Sequence, residues 1–165
     1  AKKLISMGVI DDVTLTYTKN SAVFKSDEYT IYTRLIEGKY FAYQKMFTEG
    51  EINTCASRTA LIGAMTRAKM CTEEKQPAVF QIEDDVLNIS IRDKLADYQE
   101  QVPLQETVCK SIRLGFDSRL VLETLKAFTC DNIALGFTSP RTPMIVEAED
   151  SDMKAMVLPV AIREA

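Results

Sequence analysis

The spacing of apolar positions changes several times along this chain, and each change marks a predicted element. From Tyr29 to Glu37 the pattern alternates strictly. Tyr29, Ile31, Thr33 and Leu35 fall on one side and Thr30, Tyr32, Arg34 and Ile36 on the other, which predicts a strand with one buried face. Two shorter β-branched and aromatic runs precede it, Val13 to Tyr17 and Ala22 to Phe24, set off by turns at Lys19-Asn20-Ser21 and Ser26-Asp27-Glu28. Ahead of them, Ala1 to Met7 reads as the last turns of a helix stopped by Gly8. The alternation ends at Glu37-Gly38, where the chain turns into a connector carrying Tyr40, Phe41 and Tyr43.

Beyond the connector the period switches between two and about 3.6 residues. Ile52 to Ala56 predicts a short strand, and Ser57 is an N-cap for a helix from Arg58 to about Cys71. Pro77 bars helix beyond Gln76. Ala78 to Ile82 and Val86 to Ile91 predict a hairpin around Glu83-Asp84-Asp85, with a third strand within Asp97 to Leu104. Ser111 to Phe116 then predicts a strand, Asp117 an N-cap, and Ser118 to Phe128 a helix, with Phe116 and Val121 placed for a hydrophobic staple. Strands follow at Asn132 to Thr138, Met144 to Glu149 and Lys154 to Ile162, with turns at Cys130-Asp131, Ser139-Pro140 and Asp150-Ser151-Asp152. The order (α)βββ, βαβββ, βαβββ predicts an α+β fold in which two helices pack on sheet.

On a helical wheel Leu61, Ala64, Met65 and Ala68 form the inner arc of the first helix, and Val121, Leu125 and Phe128 that of the second. The outer faces carry Arg58, Arg67 and Lys69 in the first helix and Arg119, Glu123 and Lys126 in the second. Most such faces are simply solvated; the sharper reading is a surface for phosphates. Leu120 and Met70 are apolar residues off the inner arcs, which predicts contact surfaces. The last strand is apolar from Met156 to Ile162, yet Pro159 cannot donate to a ladder, so an edge position beside a peptide groove is predicted.

Composition narrows the chemistry. The chain has 165 residues, 46% of them hydrophobic and 27% charged, which suits one domain or one and a fraction. No apolar run reaches the length of a membrane span, and no signal peptide is visible. A start at Ala1 in mid-helix is read as a piece of a longer protein. The chain has no histidine, and Cys55, Cys71, Cys109 and Cys130 lie too far apart for a metal-ligand pair. Serine–histidine and cysteine–histidine catalysis are thereby excluded. The cysteines are read as reduced, buried thiols of a cytoplasmic protein. A net charge of −4 excludes nucleic-acid binding by bulk charge and leaves only local basic faces. Carboxylates at Asp84-Asp85 or Glu147-Glu149-Asp150 leave open an enzyme domain, and inert helix faces would leave a stand-alone scaffold.

The run Thr33-Arg34-Leu35-Ile36-Glu37-Gly38-Lys39-Tyr40, with Tyr43 three residues on, resembles the domain junction of the bacterial DNA polymerase III β subunit family, the sliding clamps. Leu158-Pro159-Val160 is similar to the family's closing motif. Phe41, Lys45 and Ala161 depart from its usual proline and two arginines. The resemblance implies that residues 1–47 end a middle domain and that 48–165 form the C-terminal domain. It implies a non-catalytic ring without cofactor or metal, built from two subunits around duplex DNA. The implied partners are a replicative polymerase, a clamp loader and a second subunit. The resemblance places a peptide groove at Phe41, Lys45, Met46, Gln76, Asp117, Leu120, Arg141, Pro143, Met156, Val157, Leu158, Pro159 and Val160. DNA-facing positions would be Arg58, Arg67, Lys69, Arg119 and Lys126. Met70 and Cys71 would lie in the subunit interface, near the acidic segment Asp97 to Glu100.

Overall fold

A computed structural model describes residues 6, 12–71, 76–92, 97–148 and 151–162. They form two compact units, Ala1–Ala42 and Tyr43–Ala165. The expected helix end at Ala1 to Met7 and its stop at Gly8 lie outside the described residues, apart from Ser6, which is helical.

The first unit contains an antiparallel meander of β1 (Thr14–Tyr17), β2 (Ser21–Lys25) and β3 (Thr30–Arg34). Leu15, Phe24 and Ile31 share one cross-strand row, and Tyr17, Ala22 and Thr33 the next. The alternation is therefore real, but the expected buried face is not. Ala22 is buried, while Leu15, Tyr17 and Thr33 are exposed. Among the described residues of this unit no second layer covers that face. The third strand also stops at Arg34, short of Glu37, and the chain bends at Glu37 and Gly38. Gly38 has φ +119°, a conformation that glycine adopts without the strain a Cβ would bring.

The second unit opens with a 3₁₀ turn, Tyr43–Met46, and then β4 (Ile52–Ser57) and α1 (Arg58–Met70). Ser57 caps α1, its hydroxyl accepting from the Ala60 N–H at 3.4 Å. The side chains buried from α1 are Leu61, Ala64, Met65 and Ala68, the predicted inner arc. Next come β5 (Ala78–Arg92) and β6 (Asp97–Phe116), then α2 (Ser118–Ala127), β7 (Asn132–Phe137), β8 (Met144–Ala148) and β9 (Ser151–Val157). Asp117 caps α2 by accepting from the Arg119 N–H at 2.8 Å. Val121, Leu122 and Leu125 are buried along α2, and Phe128 just beyond its end. The six strands form one sheet in the order β5-β6-β4-β7-β8-β9. Both helices contribute to a continuous core with this sheet, in which Phe80 and Phe116 meet edge to face at 5.1 Å.

Four sequence expectations are corrected here. Glu83-Asp84-Asp85 is not a hairpin turn but an irregularity inside one long strand. Ile82 opposes Ile112 and Val86 opposes Pro103, so β6 runs on nine residues where β5 runs four. Asp84, at φ 52°, takes up the mismatch. Core residues switch from even positions (Ala78, Phe80, Ile82) to odd ones (Leu87, Ile89, Ile91) across it. Second, the strand expected within Asp97 to Leu104 and that at Ser111 to Phe116 are one strand, β6, so the two βαβββ repeats run together. Third, Ser151-Asp152 belongs to β9, and β9 ends at Val157 rather than Ile162. Proline at 159 interrupts pairing, and the chain re-pairs on another strand through Val160, whose N–H donates to Gly115 O at 2.8 Å. Fourth, Cys55, Cys71 and Cys130 are half-buried and Cys109 is exposed, so the thiols are not a buried set. No helix among the described residues is long and apolar enough to cross a membrane.

Candidate functional site

Gly115 holds the segment after β9 against the end of β6. A Cβ built there would lie 2.8 Å from Val160 O, 3.0 Å from Ile162 Cγ1 and 3.2 Å from Pro77 Cβ. Only a residue without a side chain permits this approach. The Val160 bond to Gly115 then fixes the tail across the strand end. A cavity of about 430 Å³ opens beside this crossing. Pro159, Val160, Ala161 and Ile162 line one side; Arg113, Leu114 and Gly115 line the strand side; Pro140 and Arg141 come from the β7–β8 turn. That turn is held by Ser139 and Thr142: the Ser139 N–H donates to Thr142 Oγ1 at 2.9 Å, and Thr142 Oγ1 donates to Ser139 O at 3.0 Å.

Of the expected groove residues, Arg141, Pro159 and Val160 line this cavity. Leu158 is exposed beside them, Met156 is half-buried, and Val157 faces the core. Asp117 and Leu120 start α2, directly after the strand end that carries Gly115; Leu120 is 50% exposed. The Arg119 guanidinium hydrogen bonds Asp117 and, with the Arg119 backbone N–H, holds that carboxyl below its usual range. Gln76 and Pro143 are half-buried, and neither lines the cavity. Lys45 is exposed and Met46 half-buried on the 3₁₀ turn. Phe41 belongs to the first unit, where it is exposed and stacks on Tyr40 at 4.9 Å. Arg113, Gly115, Pro140, Ala161 and Ile162 went unassigned in the sequence. The alternation of Ile112, Leu114 and Phe116 carried a signal, since it sets Arg113 and Gly115 on the opposite face.

The helix faces are less uniformly available than their charges imply. Arg58 Nε donates to Cys130 O at 2.6 Å, tying the start of α1 to the segment after α2. Arg119 pairs with Asp117 at 3.2 Å. Arg67 makes a two-pronged bond to Glu100 at 2.8 and 2.6 Å, and Tyr98 hydrogen bonds the same carboxylate. The Tyr98 hydroxyl also lies 3.0 Å from Ala64 O. Arg67 first, then Tyr98, holds the Glu100 carboxyl down at about 2. Burial and then Glu100 push the Tyr98 phenol up to about 12, and Glu100 raises Arg67 further. Lys69 and Lys126 are exposed and make no ion pair among the described residues. At the end of α1, Met70 is 81% exposed and Cys71 half-buried. Asp84 and Asp85 are exposed on β5, and no group of three or more metal-ligating side chains occurs among the described residues.

Comparison with known proteins gives a consistent picture. Residues 47–161 match the family described as DNA polymerase III beta subunit, C-terminal domain. A beta sliding clamp of Staphylococcus aureus is 24% identical over 155 residues, 91% of this chain and 41% of that protein. One from Halalkalibacterium halodurans is 24% identical over 143 residues, 84% of this chain and 38% of that protein. The chain thus spans about two fifths of the length of these relatives. Among solved structures, a DNA polymerase sliding clamp from Pseudomonas aeruginosa superposes with a TM-score of 0.83 at 19% identity. The match covers 98% of this chain and 45% of that one. The Caulobacter crescentus clamp gives 0.85 at 13% identity, covering 98% and 44%. These likenesses establish the sliding-clamp fold.

Proposed function

We propose, since the chain belongs to the DNA polymerase III beta subunit family, that it serves as part of a processivity clamp holding a replicative polymerase to duplex DNA. The observation that carries this is the family match over residues 47–161. The family is a non-catalytic accessory subunit, so the expected work is binding. Residues 1–47 act as the end of a middle domain and 48–165 as the C-terminal domain.

Two surfaces divide that work. The first is the cavity beside Gly115 and Pro159, extended past Asp117 to Leu120. It takes a short apolar peptide from a polymerase or a clamp loader, together with Lys45, Met46, Gln76, Pro143 and the stretch Met156 to Leu158. The second is the outer face of α1 and α2. Lys69 and Lys126 make the mobile, non-specific phosphate contacts that sliding requires. Arg58 and Arg67 contribute through the N–H groups left after their internal bonds, and Arg119 through its charge. Met70 and Cys71 face a second subunit that completes the ring.

The test is a titration of the intact protein with a fluorescent apolar clamp-binding peptide. Saturable binding, weakened by Leu120→Ala and by Pro159→Ala, is expected. Leu120 is half exposed, so its loss leaves the fold intact and isolates the groove. Absence of binding by the intact protein, or binding indifferent to both substitutions, overturns the reading.

A further inference from the structure

The cavity beside Gly115 carries two arginines that make no ion pair among the described residues. Arg113 stands on β6 and Arg141 on the β7–β8 turn, and both line it. Both are exposed, and neither guanidinium makes a hydrogen bond or ion pair among the described residues. Across the ladder Arg113 faces Gln81, whose amide donates to Glu83 at 2.7 Å. Asp117, the acid nearest along the chain, is already held by Arg119. Between the arginines the lining is apolar, with Pro140, Pro159, Val160 and Ile162. Among the described residues no carboxylate lines the cavity. An apolar floor with a guanidinium on two of its sides suits one kind of occupant: an apolar side chain with carboxylates close to it in sequence.

We infer that this groove selects acidic peptides, with Arg113 and Arg141 as its specificity-determining residues. This rests on the peptide-groove reading above and deepens it. The apolar side chain supplies the burial, and the two arginines discriminate among peptides that share it. Arginine suits that role because its planar fork meets a carboxylate through two parallel N–H bonds. Phosphates could also meet guanidinium groups, but a cavity of about 430 Å³ with prolines and aliphatic side chains on its walls favours a side chain over a nucleic-acid backbone.

The test compares three peptides on the intact protein by fluorescence anisotropy. They share one apolar core and carry aspartate, serine or lysine on both sides of it. The aspartate peptide is expected to bind about three- to tenfold more tightly than the serine peptide, as two solvent-exposed ion pairs allow, and the lysine peptide more weakly still. The advantage shrinks with added salt. It collapses in the Arg113→Ser/Arg141→Ser double variant, whose melting temperature confirms that these exposed changes preserve the fold. Equal affinities for the aspartate and serine peptides, or an advantage that survives the double variant, overturn the inference while leaving the groove standing. Displacement of the aspartate peptide by a short duplex oligonucleotide would assign the arginines to phosphate and also overturn it. Failure of all three peptides to bind removes the groove reading, and the inference with it.

Discussion

Replacing Gly115 with alanine should detach the tail from β6 and remove one wall of the groove. The added Cβ would sit 2.8 Å from Val160 O, closer than carbon and oxygen approach without bonding, and 3.0 Å from Ile162 Cγ1. The nearer neighbour is backbone, so rotamer adjustment cannot relieve the clash. Two responses are possible. If the tail stayed in place, the overlap would cost about 1–3 kcal/mol as overpacking. If it swung away, the Val160 N–H to Gly115 O bond would be lost at about 1 kcal/mol. Some apolar contact from Ile162 would go with it. The second route is cheaper because Val160 and Leu158 are already exposed. The total is then about 1–2 kcal/mol, a fall in melting temperature of about 2–8 °C for a unit of this size. Amide hydrogen exchange reads the event directly: the Val160 N–H is protected in the parent and exchanges freely in Gly115→Ala. Peptide affinity should fall at least about tenfold, out of proportion to the loss of stability. A variant with parental Val160 protection and parental peptide affinity would refute the role assigned to Gly115.

Three further outcomes concern the helix-to-sheet contacts and the core. The Glu100 carboxyl sits near 2 in the folded chain against an ordinary 4.5. On acidification the unfolded chain therefore takes up its proton first. The stabilisation from Glu100 is complete above about pH 5 and drains as pH falls from there toward 2. Thermal unfolding across that range should show a shallower acid loss in Glu100→Gln than in the parent. Ser57→Ala should lower stability by about 0.5–1 kcal/mol in denaturant unfolding, the low end for an N-cap, because its bond to the Ala60 N–H is long at 3.4 Å. Phe80→Ala should cost about 3–5 kcal/mol by the same assay, since Phe80 is fully buried against Phe116.

Much of the fold could be read from local signals. The inner arcs of both helices and both N-caps, Ser57 and Asp117, are fixed by residues within a few positions of one another. What escaped was decided between distant segments. The acidic triplet at Glu83 to Asp85 has the composition of a turn. It sits within a strand because β6, some twenty-five residues on, supplies a continuous partner that tolerates the mismatch. The tail beyond Val157 looked like continuous strand, but Pro159 moves its pairing from β8 to Gly115. The same limit applies to the site. Leu120 and Pro159 stand out of pattern, whereas the alternation around Arg113 sets only its face, and the turn that brings Arg141 beside it lies more than twenty residues on. Arg67 read as a free cation because its partners, Tyr98 and Glu100, come from a strand more than thirty residues away.

Retention on closed DNA tests the central claim most directly. The intact protein, loaded on a nicked circular plasmid by a bacterial clamp loader, should stay with the plasmid through gel filtration at a salt concentration that disrupts ordinary charge contacts. It should be released when a single restriction cut gives it ends to slide from. Retention that survives linearisation, or no retention on the circle, would contradict the account.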